Sequence, residues 1–224
     1  MTSSALIDLS VEVSTSTFGP PSTNVPLKLE RFRRGPGFWQ VSSMHASVHT
    51  GTHIDTPLHC FADGKTTSDV TLHDLSGHVA YFGLNTEPSQ PVRAEDLEAV
   101  DPGLAEGDVA VLATGWTDVM WGEFPDYYIN SPYLHESAAH WLAERNPTAV
   151  VFDFFEEECA RRSDFTSEEF VVHRILLGAN IYLVEHATAL SQLQGKNAMI
   201  YAAFYRIADC DGAPARLFAL VQQD

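Results

Sequence analysis

The chain has 224 residues, of which 45% are hydrophobic and 19% are charged, so its composition predicts the packed core of one substantial domain. Thirteen basic residues against thirty acidic ones give a formal net charge of −17, which disfavours nucleic acid and anionic membranes as partners. Cys60, Cys159 and Cys210 form no close pair, the first residues do not resemble a signal peptide, and no apolar run approaches the ~18 residues of a membrane span, so we expect a cytoplasmic protein.

Hydrophobic periodicity predicts both strands and helices. The first predicted strand is "ALIDLSVEV". The Pro-, Gly- and Ser-rich segment 14–37 predicts a long loop, and the β-prone "FWQVSSMHASVH" follows it. The later predicted elements are, in chain order, strands at 78–84 and 108–115 with a short helix at "RAEDLEAV" between them, a helix over "SPYLHESAAHWLAER", a strand at 148–153, a helix over "SEEFVVHRILLG", and the strands "IYLVEH", "NAMIYAAFYRIA" and "ARLFALVQ". This mixture predicts an α/β fold, with a single domain over residues 1–224 around a mixed β-sheet or barrel with flanking helices.

The stretch "SVHTGTHIDTPLHC", residues 47–60, places three histidines and one aspartate within eleven positions. On a straight strand the odd-numbered positions from His49 to His59 would share one face but spread over ~33 Å, too far to cooperate on one ion. Gly51, the β-branched threonines and Pro57 disfavour a helix. We therefore expect the chain to turn back on itself, with Gly51 permitting close backbone approach.

A curled H-x-x-x-H-x-D segment supplies two imidazoles and one carboxylate, from His49, His53 and Asp55. This donor set suits Zn²⁺ or Mn²⁺ and leaves coordination positions open. The alternative is that the histidines only form hydrogen bonds within a turn. His59 lies past a rigid proline, and we interpret it as a proton carrier beside the metal rather than as a further ligand.

The segment "HTGTHIDTPLH" resembles the H-x-G-T-H-x-D-x-P-x-H signature of the cyclase-type metal-dependent hydrolases, a superfamily that includes bacterial kynurenine formamidase and isatin hydrolase. The resemblance continues in "LATGW" (112–116), "VVFD" (150–153) and "HRILLGANIYLVEHATAL" (173–190). It implies a fold of the swivelling β/β/α type. It also implies a homodimer or higher homo-oligomer, in which the N-terminal loop can reach a partner's pocket.

The same resemblance implies a set of metal ligands. His49, His53 and Asp55 would hold a first ion, and Asp55 would bridge to a second ion bound by His173 and Glu185. Whether a subunit holds one ion or two stays open.

The geometry of segment 173–190, which would supply His173 and Glu185, also allows both residues to reach one site. On one continuous helix His173 and Glu185 would lie ~18 Å apart. Gly178 and Asn180 interrupt the helix, and "IYLVE" predicts a buried strand after the turn, so a helix–turn–strand hairpin can bring both residues to one site. The alternatives are an ordinary helix-face position for His173 and a solvated strand end for Glu185.

These features lead to the hypothesis of a metal-dependent hydrolase that cleaves the C–N bond of a small, aromatic amide, formamide or cyclic amide, with His59 as proton carrier. Kynurenine formamidases of the family carry a Trp-Pro-Gly-like element where this chain has "TFGPP", so their exact specificity is not implied. A lactone or ester hydrolase on the same metal site and a catalytically silent metal-binding protein are the alternatives. The candidates for the wall of an aromatic pocket, with core packing as the alternative, are Phe18, Phe38, Trp39 and Phe61.

Two further patterns carry weaker signals. "HESAAH" (135–140) spaces its histidines five residues apart, which separates them by ~140° around a helix, so it predicts a solvated helix rather than a zincin site. Glu156, in the acidic run 156–158, closely follows the strand "VVFD". It is a candidate to lie beside the metal ligands, and the alternative is a solvated loop.

Overall fold

The computed structural model describes residues 4–21 and 25–222, so positions 1–3, 22–24 and 223–224 of the expected domain and loop lie outside the described residues. Its strands are β1 (Ser4–Asp8), β2 (Lys28–Arg33), β3 (Gln40–His45), β4 (His53–Asp55), β5 (Ser76–Gly83), β6 (Pro91–Val92), β7 (Val109–Ala113), β8 (Tyr133–Leu134), β9 (Ala149–Phe152), β10 (Tyr182–Glu185), β11 (Ala198–Phe204) and β12 (Gly212–Gln222). Its α-helices are α1 (Ala94–Val100), α2 (Trp116–Met120), α3 (Asp126–Ile129), α4 (Glu136–Arg145) and α5 (Val171–Gly178). Short 3-10 helices lie at Pro57–His59, Cys159–Arg161, Ser167–Glu169 and Leu190–Leu193.

Seven strands close into a barrel in the order β12–β11–β5–β7–β9–β10–β4, because β4 pairs back onto β12. The strands from β5 through β7 and β9 to β10 are parallel, and the other pairs of the ring are antiparallel. β12 closes the ring by changing partners along its length. Its first three residues, Gly212–Pro214, pair with β4, and Ala215–Val221 pair with β11. β1 adds antiparallel to the far end of β12.

Apolar residues cover both faces of the parallel strands. On β7, Val109 and Val111 belong to the cluster that fills the barrel, and Ala110 and Leu112 belong to a second cluster under the helices. This second cluster includes Trp141 of α4 and residues of α1 and α5. Strands buried on both faces read as continuous apolar runs, which explains the "DVAVLATG" and "TAVVFD" patterns. Within 4–21 and 25–222, no helix combines the length and the apolar character needed to cross a membrane.

The expected α/β fold around a mixed sheet or barrel is confirmed. The predicted loop over 14–37 was too long, because its last part forms β2 of an antiparallel hairpin with β3. The Pro and Gly residues on both sides of β2 hid this strand from sequence reasoning. The helix predicted over "SPYLHESAAHWLAER" begins only at Glu136, because the His135 side chain accepts a hydrogen bond from Ser137 N and caps the helix there.

Candidate metal centre and active site

The histidine stretch folds as a turn, the short strand β4 and one turn of 3-10 helix. Gly51 has a φ of +69°, and a Cβ at this position would collide with the Val13 side chain. The turn therefore needs glycine for both conformation and space. Thr52 fastens it, because its Oγ1 accepts from Val11 N and donates to the carbonyl of His186.

His49, His53 and Asp55 converge, and one donor atom of each lies within 4.8 Å of the others. His49 Nδ1 lies 2.7 Å from Asp55 Oδ1, and His53 Nε2 lies 3.3 Å from the same oxygen. Asp55 and His53 are buried, whereas the His49 side chain keeps 17% of its surface exposed. The three residues predicted to hold the first ion therefore lie together.

His173 and Glu185 reach the same centre from a different part of the chain. Asn180 follows α5 with a φ of +60°, and the chain then enters β10. β10 pairs with β4 so that Glu185 lies opposite His53. His173 Nε2 lies 3.1 Å from Glu185 Oε1 and 3.5 Å from Asp55 Oδ2. The helix–turn–strand hairpin thus joins both residues to the first cluster.

Each of the three imidazoles donates a hydrogen bond from its outer nitrogen, which turns the other nitrogen toward the buried acids. These outer bonds are His49 Nε2 to Asp211 Oδ2 (2.9 Å), His53 Nδ1 to the Gly51 carbonyl (2.8 Å) and His173 Nδ1 to Glu157 Oε1 (2.9 Å). Buried Asp55 Oδ2 has no hydrogen-bond partner within the described part of the chain. Three oriented imidazoles, two carboxylates and an unpartnered carboxylate oxygen fit a divalent cation such as Zn²⁺ or Mn²⁺.

The charges of the cluster also favour a cation. Burial alone would raise the pKa of Asp55, but the adjacent His53 and His49 hold it well below its usual range. Burial and the neighbouring Asp55 oppose ionisation of Glu185, yet His53 and His173 bring its pKa to about 2. Burial disfavours charge on His173, whereas hydrogen bonds to the surrounding carboxylates raise its pKa well above the usual value. Both acids are therefore ionised at neutral pH and attract positive charge.

His59 lies beside this cluster, where its hydrogen-bond partner is Asp211 rather than Asp55 or Glu185. Its Nδ1 donates to Asp211 Oδ2 at 3.0 Å, and its ring centroid lies 4.3 Å from that of His49 and 5.4 Å from that of His173. Hydrogen bonds from His49 and His59 hold the pKa of Asp211 well below its usual range. His59 is therefore fixed by an ionised partner through one nitrogen.

A cavity of about 620 Å³ opens over the cluster, and all six predicted ligand and catalytic side chains line it. Its apolar wall includes Phe155, Phe165 and Phe170. Arg174 and Glu168, 3.3 Å apart, add charge to the lining. The volume and the few polar groups suit a small molecule.

The four aromatic residues predicted for the pocket lie elsewhere in the structure. Phe18 stacks on Phe124 with 6.1 Å between ring centroids. Phe38 and Trp39 extend with the β2–β3 hairpin, and Phe38 is 81% exposed. Phe61 packs at the end of α5. None of the four is among the cavity-lining residues of the described chain, because side chains from the segment before α5 occupy that wall.

Sequence reasoning missed Asp211 and Glu157, which support the histidines. The available signals were an aspartate just before the glycine that opens β12, and an acidic run just after a buried strand. Glu156, the candidate neighbour of the ligands, is buried and lies 3.6 Å from His173 Nδ1. Burial and the nearby Glu185 raise the pKa of Glu156 well above its usual value.

The chain is similar to known proteins in both sequence and fold. The kynurenine formamidase of Salinibacter ruber is 27% identical over 214 residues, which are 95% of each chain. The crystal structure of an isatin hydrolase bound to the product analogue thioisatinate matches with a TM-score of 0.85 at 19% identity, over 98% of this chain and 93% of the other. A predicted metal-dependent hydrolase from Bacillus stearothermophilus matches with a TM-score of 0.70 at 23% identity, over 97% and 98% of the two chains. The two structural matches show a shared fold, and the model of the Cyclase family matches residues 7–158, so this chain belongs to the Cyclase family.

Proposed function

We propose that residues 1–224 form one hydrolase domain that cleaves the C–N bond of a small aromatic amide, formamide or cyclic amide with the help of a divalent cation. The observation that carries the proposal is the convergence of three oriented imidazoles and two buried carboxylates at a cavity of small-molecule size. A structural metal site closes with four ligands and has no need of such a cavity. The relatives named a kynurenine formamidase and an isatin hydrolase support the same reaction class.

The residues that would hold Zn²⁺ or Mn²⁺ are His49, His53, Asp55, His173 and Glu185, as one ion or as two ions that share Asp55. When bound, such a cation supplies a Lewis acid that polarises a carbonyl and lowers the pKa of water toward ~7.

His59 would carry the proton that the reaction moves. Its Nδ1 is held by Asp211, so Nε2 is the nitrogen left to take a proton and return it to the leaving nitrogen of the amide.

The wall of the cavity favours an aryl group on the substrate. Phe155, Phe165 and Phe170 offer ring faces and edges that attract a flat aromatic ring. Trp39 and Phe38 are outside this wall in the single chain and would contribute only from a neighbouring subunit. An aryl formamide and isatin are therefore the substrates to test first, and aryl lactones and esters test the alternatives.

The test is a panel of formanilides, isatin, aryl lactones and aryl esters, assayed with metal-free protein and with protein reloaded with Zn²⁺ or Mn²⁺. We expect C–N cleavage that disappears with a chelator and returns with one of the ions. Turnover of esters or lactones alone, or no turnover by the reloaded protein, would contradict the proposal.

The matched variants are His59→Ala and His140→Ala. His140 lies on α4 with 60% of its side chain exposed and serves as the control. We expect His59→Ala to lower kcat by about 10²–10⁴-fold while the metal content stays that of the wild type. Full turnover by this variant would remove His59 from the mechanism.

We also propose that the chain forms a homodimer in the cytoplasm, with the β2–β3 hairpin as the contact. Every residue of both strands is exposed, and the two strands pair only with each other among the described elements. An isolated two-stranded hairpin is marginally stable in water. The exposed apolar side chains of the β2–β3 hairpin are Leu29, Phe32, Phe38, Trp39, Val41 and Met44.

Charge favours a second copy of this chain as the occupant. Residues 28–34 hold four of the thirteen basic residues and one acidic residue, in a chain of net charge −17. The basic hairpin therefore complements the acidic remainder of another copy. Sedimentation of the Arg31→Glu/Arg33→Glu protein should show a loss of dimer at low salt, whereas Lys196→Glu should not. A wild-type monomer at all concentrations would contradict the dimer.

A further inference from the structure

One oxygen of Asp211 contacts two of the imidazoles at the site. Asp211 Oδ2 lies 2.9 Å from His49 Nε2 and 3.0 Å from His59 Nδ1. Among the described residues, the only donor to the other oxygen, Oδ1, is the weak Cys210 Sγ at 3.8 Å. Because a carboxylate accepts and does not donate, both imidazole nitrogens that face it carry hydrogen. The contact therefore leaves His49 Nδ1 and His59 Nε2 for other tasks.

The backbone around Asp211 is held firmly enough to orient these rings. The Asp211 carbonyl accepts from both Thr56 N and Thr56 Oγ1, each at 3.0 Å. The next residue, Gly212, pairs with Asp55 across β12 and β4. A Cβ on Gly212 would lie 2.8 Å from His49 Cε1 and 2.7 Å from the Ile54 carbonyl oxygen. The missing side chain thus lets the His49 ring approach the strand and reach the carboxylate.

We propose that Asp211 is a positioning residue that orients His49 and His59 together. Through one oxygen it turns Nδ1 of His49 toward Asp55 and leaves Nε2 of His59 for proton exchange in the cavity. The inference rests on the proposed function for the tasks of the two imidazoles, and goes beyond it by assigning both orientations to one carboxylate.

Loss of the carboxylate should act on both rings. In Asp211→Ala both rings lose their acceptor, whereas the amide oxygen of Asp211→Asn can take the place of Oδ2 and accept from both rings without the charge. The alanine variant is therefore the stronger test. Carboxylates that hold the outer nitrogen of a metal-ligating histidine typically contribute 10–100-fold to metal affinity, so we expect Asp211→Ala to weaken Zn²⁺ binding by about that factor and Asp211→Asn to weaken it less.

The first measurement is Zn²⁺ affinity, by competition with a chromogenic chelator. The second is the tautomer of the histidines, by two-bond ¹H–¹⁵N NMR of metal-free and zinc-loaded protein, with the His59 signals assigned from the His59→Ala protein. We expect His59 to carry its hydrogen on Nδ1 in the wild type and in Asp211→Asn, and to lose this preference in Asp211→Ala. Asp209→Asn is the matched control, because Asp209 is exposed in the same loop and its φ of +54° suits asparagine.

The Asp211 side chain is 38% exposed, so both substitutions are expected to leave the fold intact, and thermal unfolding checks this. Wild-type Zn²⁺ affinity in the folded Asp211→Ala protein, or an unchanged His59 tautomer in it, would overturn the proposal. A zinc-loaded spectrum in which His59 Nδ1 itself coordinates the ion would also overturn it. Neither readout requires turnover. One outcome separates the two proposals. If Asp211→Ala loses zinc affinity and the Nδ1–H tautomer of His59, but the wild type hydrolyses no compound of the substrate panel, the proposed function is refuted and the positioning role stands.

Discussion

Removal of the Glu157 carboxylate should destabilise the helix that carries His173. Glu157 is 2% exposed, and its Oε1 accepts from both the backbone N–H of His173, at 2.8 Å, and Nδ1, at 2.9 Å. Alanine at this position leaves two buried donors without an acceptor. Glutamine keeps an acceptor oxygen in the same place and removes only the charge.

The expected magnitude follows from these two contacts. Each buried donor left without a partner costs about 1–3 kcal/mol, so Glu157→Ala should lose about 2–6 kcal/mol of unfolding free energy. Domains of ordinary stability have about 5–15 kcal/mol in total, so the loss is a large fraction. Glu157→Gln should lose about 1 kcal/mol, because its hydrogen bonds are no longer assisted by charge.

The assay is urea unfolding of the metal-free proteins, followed by far-UV circular dichroism at pH 7. Glu158→Ala is the control, because this neighbouring side chain is exposed and its removal should change the unfolding free energy by about 0.5 kcal/mol or less. If the unfolding free energy of Glu157→Ala lies within about 1 kcal/mol of the wild-type value, the two hydrogen bonds do not hold His173 in the way described.

Three further outcomes are expected. Gly212→Ala should lower zinc affinity at least about tenfold by displacing the His49 ring, and an unchanged titration would contradict this close approach. Burial raises the pKa of Asp153 to about 6, above its ordinary 3.8, so the charged form is disfavoured in the folded protein and stability is lost as the pH rises from about 4 to about 6. The stability of the wild type relative to Asp153→Asn should therefore fall across this range, and a constant difference in urea unfolding would refute it. Phe165→Ala should raise KM for an aryl formamide about tenfold and leave KM for an alkyl formamide unchanged, as steady-state kinetics would reveal.

The parts of the site that sequence reasoning could predict are those set by local geometry. A straight strand would spread the odd-numbered positions from His49 to His59 too far apart for one ion, and Gly51 and Pro57 disfavour a helix, so a turn is the remaining solution. The joint between α5 and β10 could be placed because Asn180 tolerates the left-handed conformation that the structure has there.

The remaining parts depend on contacts between distant segments. Asp211 is 162 residues from His49, and only the register of β12 on β4 brings the two together. Composition identifies aromatic residues but not which of them face the cavity, because this depends on how the segment before α5 folds over the barrel. Phe165 and Phe170 therefore line the cavity, whereas Phe38 lies on an exposed hairpin.

The change of partners along β12 has a consequence for the order of folding. β12 closes the barrel and directly follows Asp211, which holds two imidazoles. The ribosome synthesises this strand well over a hundred residues after the histidine stretch. Contacts between such distant segments form late, since the entropy of closing the intervening chain must be overcome first. Nascent polypeptide still lacking β12 would then carry its histidines on an open sheet, so tight cation capture would mark the completion of folding rather than its beginning.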